Sequence, residues 1–312
     1  MTELRIAIIG FGKIAQRQHV PAIAATPGLT LVAAADPNAS AADAGVPLFA
    51  GLRELLQDGP AIDAVALCTP PQIRTAQAAL ALAAGKHVLL EKPPGKSVSE
   101  IAPLLAAAQG SGRALFTAWH SRFAPAVEPA RQLLAGRKIA SVSIVWKEDV
   151  RVWHPGQAWI FEAGGLGVFD PGINALSILT HILPQPVLVT RADLEVPANC
   201  AAPIAAELDL ADAAGLPITA VFDFRQTGQE SWDMHFETDH GPVLLSRGGA
   251  CLSDGDKVVL EAKKEEYPLL YRRFMQLAAE GRSDVDLAPF QLVADCFLLG
   301  RWRTVEAFED RA

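Results

Sequence analysis

Cysteine is scarce and scattered. The four residues, Cys68, Cys200, Cys251 and Cys296, lie far apart and form no CxxC pair. That spacing excludes a disulfide-stapled fold and a local zinc site, and it fits reduced thiols in a cytosolic chain. No apolar run approaches the ~18 residues of a membrane span. Glu3 stands where a secretory leader would be apolar, so a cytoplasmic setting without membrane attachment is expected. Basic stripes are also missing, and the formal net charge is −8, which argues against nucleic acid as a partner. No repeat and no low-complexity tract breaks the chain.

What remains is a core-forming composition, 50% hydrophobic and 20% charged over 312 residues. At about 150 residues per domain, two domains are expected. The first third alternates strand and helix. Leu4 to Ile9 reads as a buried strand, followed by Gly10-Phe11-Gly12-Lys13-Ile14-Ala15 and a helical stretch to Ala25. A GxGxxA between a strand and a helix is the context in which glycines cradle a pyrophosphate. Gly10 permits the turn, Gly12 lets a phosphate approach the backbone, and Ala15 allows close packing of helix and strand. The helix N-terminus adds free N–H groups. The next strand, Leu29 to Ala35, ends at Asp36, placed to accept a hydrogen bond from a ribose 2′-hydroxyl and to repel a 2′-phosphate. No arginine follows it closely, so NAD is expected over NADP.

The alternation continues with a strand at Ala64 to Cys68 and a stiff corner at Thr69-Pro70-Pro71. A helix follows from Gln72 to Ala84, then a strand from His87 to Leu90. That strand runs into Glu91-Lys92-Pro93-Pro94. Proline fixes φ and lacks an N–H, so the strand must stop and Lys92 is held out at its carboxyl end. Ligands of an open parallel sheet sit beyond the carboxyl ends of its strands. Taken alone, the corner reads as a surface lysine on a tight turn. A helix at Val98 to Gln109 with Ser97 as cap, and a strand at Ala114 to Ala118, complete this part. The piece from Ala39 to Gly51 is too short for a full crossover helix.

Past about Ala124 the pattern changes. A helix at Pro125 to Ala135 and a strand at Ile139 to Trp146 precede a helix at Phe169 to Leu183. Strand-like runs follow at Val187 to Val196, Ile204 to Leu210, Ile218 to Phe224, Ser231 to Glu237, Val243 to Ser246 and Lys257 to Leu260. Helices are expected at Tyr267 to Glu280 and Phe290 to Phe308. The expected fold class is α/β: a parallel-sheet dinucleotide-binding domain at 1–121, then an α+β domain at 122–312 with a mainly antiparallel open sheet, its C-terminal helix free to pack back on the first.

Polar and aromatic residues concentrate where the second domain begins. Lys147-Glu148-Asp149 follow a strand, Trp153-His154-Pro155-Gly156 follow closely, and Gly164-Gly165-Leu166-Gly167 leads into Asp170 and Asn174. Those last two are four apart and share a helix face. Alone, Asp170 reads as the cap of that helix, His154 as a loop histidine bonded to a carbonyl, and Glu148 as a solvated strand-end charge.

These motifs together resemble the glucose–fructose oxidoreductase/inositol dehydrogenase (Gfo/Idh/MocA) family. The marks are Gly10 to Ala15 with His19 and Pro21 behind it, Glu91-Lys92-Pro93, and the glycine-rich lead into Asp170. Members commonly carry histidine where this chain has Asn174. Trp119-His120-Ser121-Arg122, Trp146 to Val150, Trp153 to Gln157 and Gly167 to Asn174 resemble the bacterial L-arabinose/D-galactose 1-dehydrogenases. The resemblance implies a Rossmann domain and NAD(P)-dependent oxidation of an aldopyranose (L-arabinose, D-galactose or D-fucose) at C1 to the aldonolactone. Lys92 and Asp170 would be catalytic, a coupled pair relaying one proton. His120, Glu148, Trp153, His154, Asn174 and Trp232 would bind the sugar. Gly10, Gly12, Lys13, Ile14, Asp36, Thr69, Pro70, Glu91 and Lys92 would face the cofactor, and no metal is implied. An exposed sheet face would favour a homodimer or homotetramer. Another sugar or inositol oxidoreductase, or a non-catalytic NAD-binding regulator, are the alternatives.

Overall fold

Short apolar segments, broken by few polar residues such as Arg5, Thr30 and Thr117, form a sheet covered on both faces. In the computed structural model, which describes residues 3–40, 44–263 and 265–310, six of them assemble in parallel. They are β1 (Leu4–Ile9), β2 (Leu29–Ala35), β3 (Leu48–Phe49), β4 (Ala64–Leu67), β5 (His87–Glu91) and β6 (Leu115–Ala118). The spatial order is β3-β2-β1-β4-β5-β6. The chain reverses direction of growth between β1 and β4, the switch point at which doubly wound sheets bind ligands. Every residue of β4, β5 and β6 is buried. Helices α1 (Pro71–Ala83) and α2 (Ile101–Ser111) cross over between them.

Chain contacts divide the molecule into two compact units. One holds the residues up to Trp119 together with Tyr267–Asp286, and the other holds His120–Glu266 with the residues from Leu287. A single cut at residue 121 therefore does not describe the packing. The returning segment contains most of helix α3 (Glu266–Glu280). Phe274 stacks on Phe116 at 6.3 Å. Asp284 then bonds the edge strand, donating to Leu115 O at 2.9 Å and accepting from Thr117 N at 3.2 Å. A covered edge cannot template pairing with another chain.

The second unit is a nine-stranded sheet: β7 (Ile139–Lys147), β8 (Val187–Pro197), β9 (Ala205–Asp212), β10 (Pro217–Asp223), β11 (Ser231–Thr238), β12 (Gly241–Ser246), β13 (Cys251–Asp254), β14 (Lys257–Glu261) and β15 (Arg301–Val305). The order is β14-β13-β12-β11-β7-β10-β9-β8-β15, antiparallel except at β7–β10 and β8–β15. One face carries Val142, Ile144, Trp146, Ile218, Ala220 and Phe222, all buried. Against it lies the helix Phe169–Ile182, with Phe169 edge-on to Phe222 at 5.9 Å. A Cβ on Gly172 would stand 2.8 Å from the Phe222 ring, so only glycine permits this approach. The opposite face carries exposed ion pairs, among them Arg191–Asp209 (2.6 Å) and Arg301–Asp193 (2.7 Å). Among the described residues no helix is long and apolar enough to cross a membrane.

Several expectations need correction. The helix expected to run to Phe308 ends at Leu299, and Arg301–Val305 is a strand. Gly300 makes the break with extended backbone, and a Cβ there would lie 2.4 Å from Cys296 O. The unplaced piece after Ala39 includes the two-residue strand β3, while residues 41–43 lie outside the described set. Ser97 makes no side-chain capping bond, and a 3-10 turn separates it from α2. Asp170 is not a cap either. Val168 occupies that position, and Asp170 lies inside the first turn.

Candidate active site

The glycine turn is shaped by what surrounds it. Gly10 has φ +86°, and a Cβ there would stand 2.8 Å from Thr69 N and 2.9 Å from Cys68 C. The turn after β1 thus presses directly on the corner after β4, where only glycine fits. Gly12 has no atom within 4 Å of its Cβ direction, which leaves its backbone open to a ligand. Lys13 is exposed, and Ile14, 39% exposed, offers an apolar edge beside it. The chain then turns helical at Ala15–His19, wound as a π-helix, and continues as Val20–Ala24. Asp36 is pinned at the tip of β2. Its Oδ2 accepts from Phe11 N at 2.7 Å and its Oδ1 from Asn38 N at 2.8 Å. A cleared backbone, a glycine cradle and a fixed carboxylate suit a dinucleotide's pyrophosphate and ribose.

The lysine corner rests on a buried network. Glu91 closes β5 and is 3% exposed. Its Oε2 accepts the Lys92 amide at 2.9 Å, and its Oε1 accepts the Tyr267 hydroxyl at 2.7 Å. His19, fully buried, lies between Glu91 Oε1 (2.9 Å, Nε2) and the Tyr271 hydroxyl (2.7 Å, Nδ1). Burial by itself disfavours the imidazolium. The neighbouring Cys68, Tyr271 and Glu91 outweigh it and hold His19 well above the ordinary histidine range. Burial likewise pushes the Tyr271 phenol up, although His19 pulls the other way. Lys92 itself precedes a cis peptide bond to Pro93. Arg74, on α1, donates to the carbonyls of Glu91, Pro93 and Thr69.

In the second unit, Glu148 is buried at 6% exposure, not a solvated strand-end charge. Its Oε2 accepts the Trp232 indole N–H at 2.9 Å. Trp232 packs beside Trp146 (6.4 Å) and edge-on to Trp153 (5.5 Å). Trp153 is 46% exposed and donates its indole N–H to Glu230. Asp149 caps the short helix Val150–Trp153 by accepting Arg151 N, which fixes the approach of Trp153 and His154. His154 Nε2 lies 3.5 Å from Asp170 Oδ2, and its Nδ1 lies 3.3 Å from Gln157 Oε1. Asn174 follows Asp170 by one turn, and its buried amide oxygen accepts no hydrogen bond among the described residues. His120 Nδ1 lies 2.5 Å from Glu266 Oε2.

The structure thus brings Glu148, Trp153 and Trp232 into one cluster and pairs His154 with Asp170. In the first unit it gathers Gly10, Gly12, Asp36, Thr69, Pro70, Glu91 and Lys92 at the carboxyl ends of the strands. Flat indole faces suit the C–H patches of a sugar ring, while carboxylate, amide and imidazole groups suit its hydroxyls. Sequence reasoning missed Arg74, Tyr267 and Tyr271, and gave His19 no role. One signal was present: the chain holds two tyrosines, and they stand four apart on one helix.

The model of the oxidoreductase family Gfo/Idh/MocA, with its NAD-binding Rossmann fold, matches residues 4–118. A galactose 1-dehydrogenase of Pseudomonas fluorescens is 49% identical over 311 residues, covering 99% of this chain and 100% of the relative. The crystal structure of a D-galactose-1-dehydrogenase from Rhizobium etli aligns with a TM-score of 0.93 at 54% identity, covering 99% of each chain. A myo-inositol 2-dehydrogenase from Lactobacillus plantarum shares the fold at a TM-score of 0.79 and 15% identity, over 95% of this chain and 97% of its own. The glycine turn, the lysine corner and near full-length identity agree: the chain belongs to the Gfo/Idh/MocA oxidoreductases.

Proposed function

We propose that the protein oxidises an aldopyranose of the D-galactose, L-arabinose or D-fucose configuration at C1, giving the aldonolactone. The observation that carries this reading is the indole cluster built on a buried carboxylate, Glu148–Trp232–Trp153, beside the His154–Asp170 pair. The near full-length similarity to galactose 1-dehydrogenases supports the same substrate class.

When bound, a nicotinamide dinucleotide would supply the acceptor for the hydride that leaves C1. The chain's own residues manage everything else. Gly10 and Gly12 would admit the pyrophosphate, with Lys13, Ile14, Thr69 and Pro70 as further residues to hold it. Asp36, fixed at the tip of β2, would accept from the adenosine ribose. A 2′-phosphate set against this carboxylate would meet about 4 kcal/mol of repulsion per charge at ~4 Å for an effective dielectric of ~20, which supports NAD as the cofactor. The C1 hydroxyl must lose a proton as hydride leaves. Lys92 and Asp170 are assigned that task as one coupled pair, holding and passing a single proton. Glu91 serves the cofactor side by holding the Lys92 amide. Glu148, His154, His120 and the unpartnered oxygen of Asn174 read the sugar hydroxyls, while Trp153 and Trp232 stack on its carbon face. Four free thiols support a reducing, cytoplasmic setting. A homodimer or homotetramer would use the outer face of the nine-stranded sheet.

The test is NADH formation at saturating NAD with D-galactose, L-arabinose, D-fucose, D-xylose and inositol. Oxidation of the first three with galacto configuration, and little of D-xylose, is expected. Preference for inositol would move the protein to another branch of the family. NAD binding with no turnover of any of them would make it a regulator.

A further inference from the structure

Two corners carry the proposed chemistry, and both are rich in proline. Thr69-Pro70-Pro71 follows β4, and Lys92-Pro93-Pro94 follows β5. Prolines at 70, 71, 93 and 94 remove their backbone N–H groups. Fewer backbone donors are therefore available at these corners, and buried carbonyls need partners.

Arg74 supplies them. It sits on the first turn of α1 and is 3% exposed. Its Nη1 donates to Glu91 O at 2.5 Å and to Pro93 O, and its Nη2 donates to Thr69 O. The guanidinium thus grips the residue on each side of Lys92 and ties both to the neighbouring corner. Glu91 holds the Lys92 amide from the other direction, with Oε2 at 2.9 Å. A planar fork of five donors can span three carbonyls, whereas an ammonium on a flexible stem is a point donor.

We propose that Arg74 is a positioning residue: by clamping the carbonyls of Glu91, Pro93 and Thr69, it fixes the turn from which Lys92 reaches the reacting hydroxyl. This rests on the role proposed above for Lys92. A buried arginine that served only stability would affect the whole unit alike. A positioning residue affects the turnover step and the corner selectively.

The experiment compares Arg74→Met, Arg74→Gln and Arg74→Lys with the parent enzyme. Measured are kcat and KM for D-galactose, NAD affinity by equilibrium binding, and amide hydrogen exchange resolved to single residues. Misplacement of a reacting group by about 1 Å costs on the order of 10²-fold in rate, so kcat of Arg74→Met falls by about that factor. KM and NAD affinity stay within about threefold, and Arg74→Lys recovers about tenfold of the loss by restoring a charged donor to part of the site. Exchange of the Lys92 amide quickens more than about tenfold while amides inside β4 and β5 keep their protection. If Arg74→Met does not fold, Arg74→Gln reads the same comparison. Two results overturn the proposal: kcat within about threefold of the parent, or a loss spread equally over kcat, NAD affinity and protection of the whole sheet. Should the parent oxidise none of the sugars, the functional reading fails by itself. The Lys92 amide still reports whether Arg74 clamps the corner.

Discussion

Replacing Tyr267 by phenylalanine removes one hydroxyl and leaves the ring in place. The ring keeps its edge contact with His19, 4.9 Å between centroids, so no cavity opens. What is lost is the donor at 2.7 Å to Glu91 Oε1. Glu91 is 3% exposed, so bulk water does not take the donor's place. A hydrogen bond to a charged group contributes about 1.5–3 kcal/mol. At about 2–4 °C per kcal/mol for a domain of this size, the melting temperature falls by roughly 3–12 °C. The assay is urea unfolding followed by circular dichroism, with a lower midpoint and an unchanged slope. Activity should follow, because the same carboxylate holds the Lys92 amide through its other oxygen. We expect kcat to drop several-fold with the sugar KM unchanged. A stability loss under about 0.5 kcal/mol would refute the picture of a charged, dry Glu91, since surface substitutions produce changes that small.

Further outcomes follow from the same geometry. Lys92→Met should nearly abolish turnover while NAD binds within a few-fold of the parent; turnover that stays within a few-fold removes the lysine from the chemistry. Asp36→Ala should weaken NAD more than NADP, lowering the NAD/NADP ratio of kcat/KM by at least about tenfold, or ~1.4 kcal/mol. An equal effect on both cofactors would dismiss the carboxylate as the discriminator. His87 is held below its usual range, by burial first and by Arg113 second, and its neutral Nδ1 accepts the Ala114 amide at 3.0 Å. Because the folded value is the lower one, its contribution is complete above the unfolded value of about 6.5 and is lost as pH falls through the folded value. Urea midpoints of His87→Gln should therefore depend less on pH than those of the parent below pH ~6.5; parallel curves would rule His87 out.

The fold was legible where one segment carries its own period. The buried runs Ile6–Ile9, Ala64–Leu67 and Val88–Leu90 lead into Gly10, Thr69-Pro70 and Lys92-Pro93, and each is in a strand of the parallel sheet. The run Ile139 to Trp146 reads as a strand, and in the structure its buried residues Val142, Ile144 and Trp146 alternate, as on a sheet with one buried face. Legibility failed at short elements. Two residues, Leu48–Phe49, are too few to show any period. Arg301–Val305 follows an apolar helix without a charged break, and only Gly300 marks the change.

The site divides along the same line. Gly10 with Gly12 could be proposed from spacing alone, whereas Asp170 and Asn174 share a helix face by spacing but took their proposed roles from the resemblance. Glu148, Trp153 and Trp232 came from resemblance, and physics alone favoured a solvated glutamate. Burial of that glutamate needs the Trp232 indole, 84 residues away in sequence. The supports of the lysine corner were harder still, since Tyr267 meets Glu91 across 176 residues and His19 meets it across 72. The four-residue spacing of the two tyrosines puts them on one helix face, but no local pattern names the residues they meet. Arg74 differs from them. It lies five residues from Thr69 and three past Pro71, and the two proline pairs at the strand ends already announce carbonyls that need a donor. Counting missing N–H groups along a sequence and asking which nearby cation can repay them would have named it before any coordinates, because hydrogen-bond satisfaction is a constraint that the chain must meet wherever its backbone is buried.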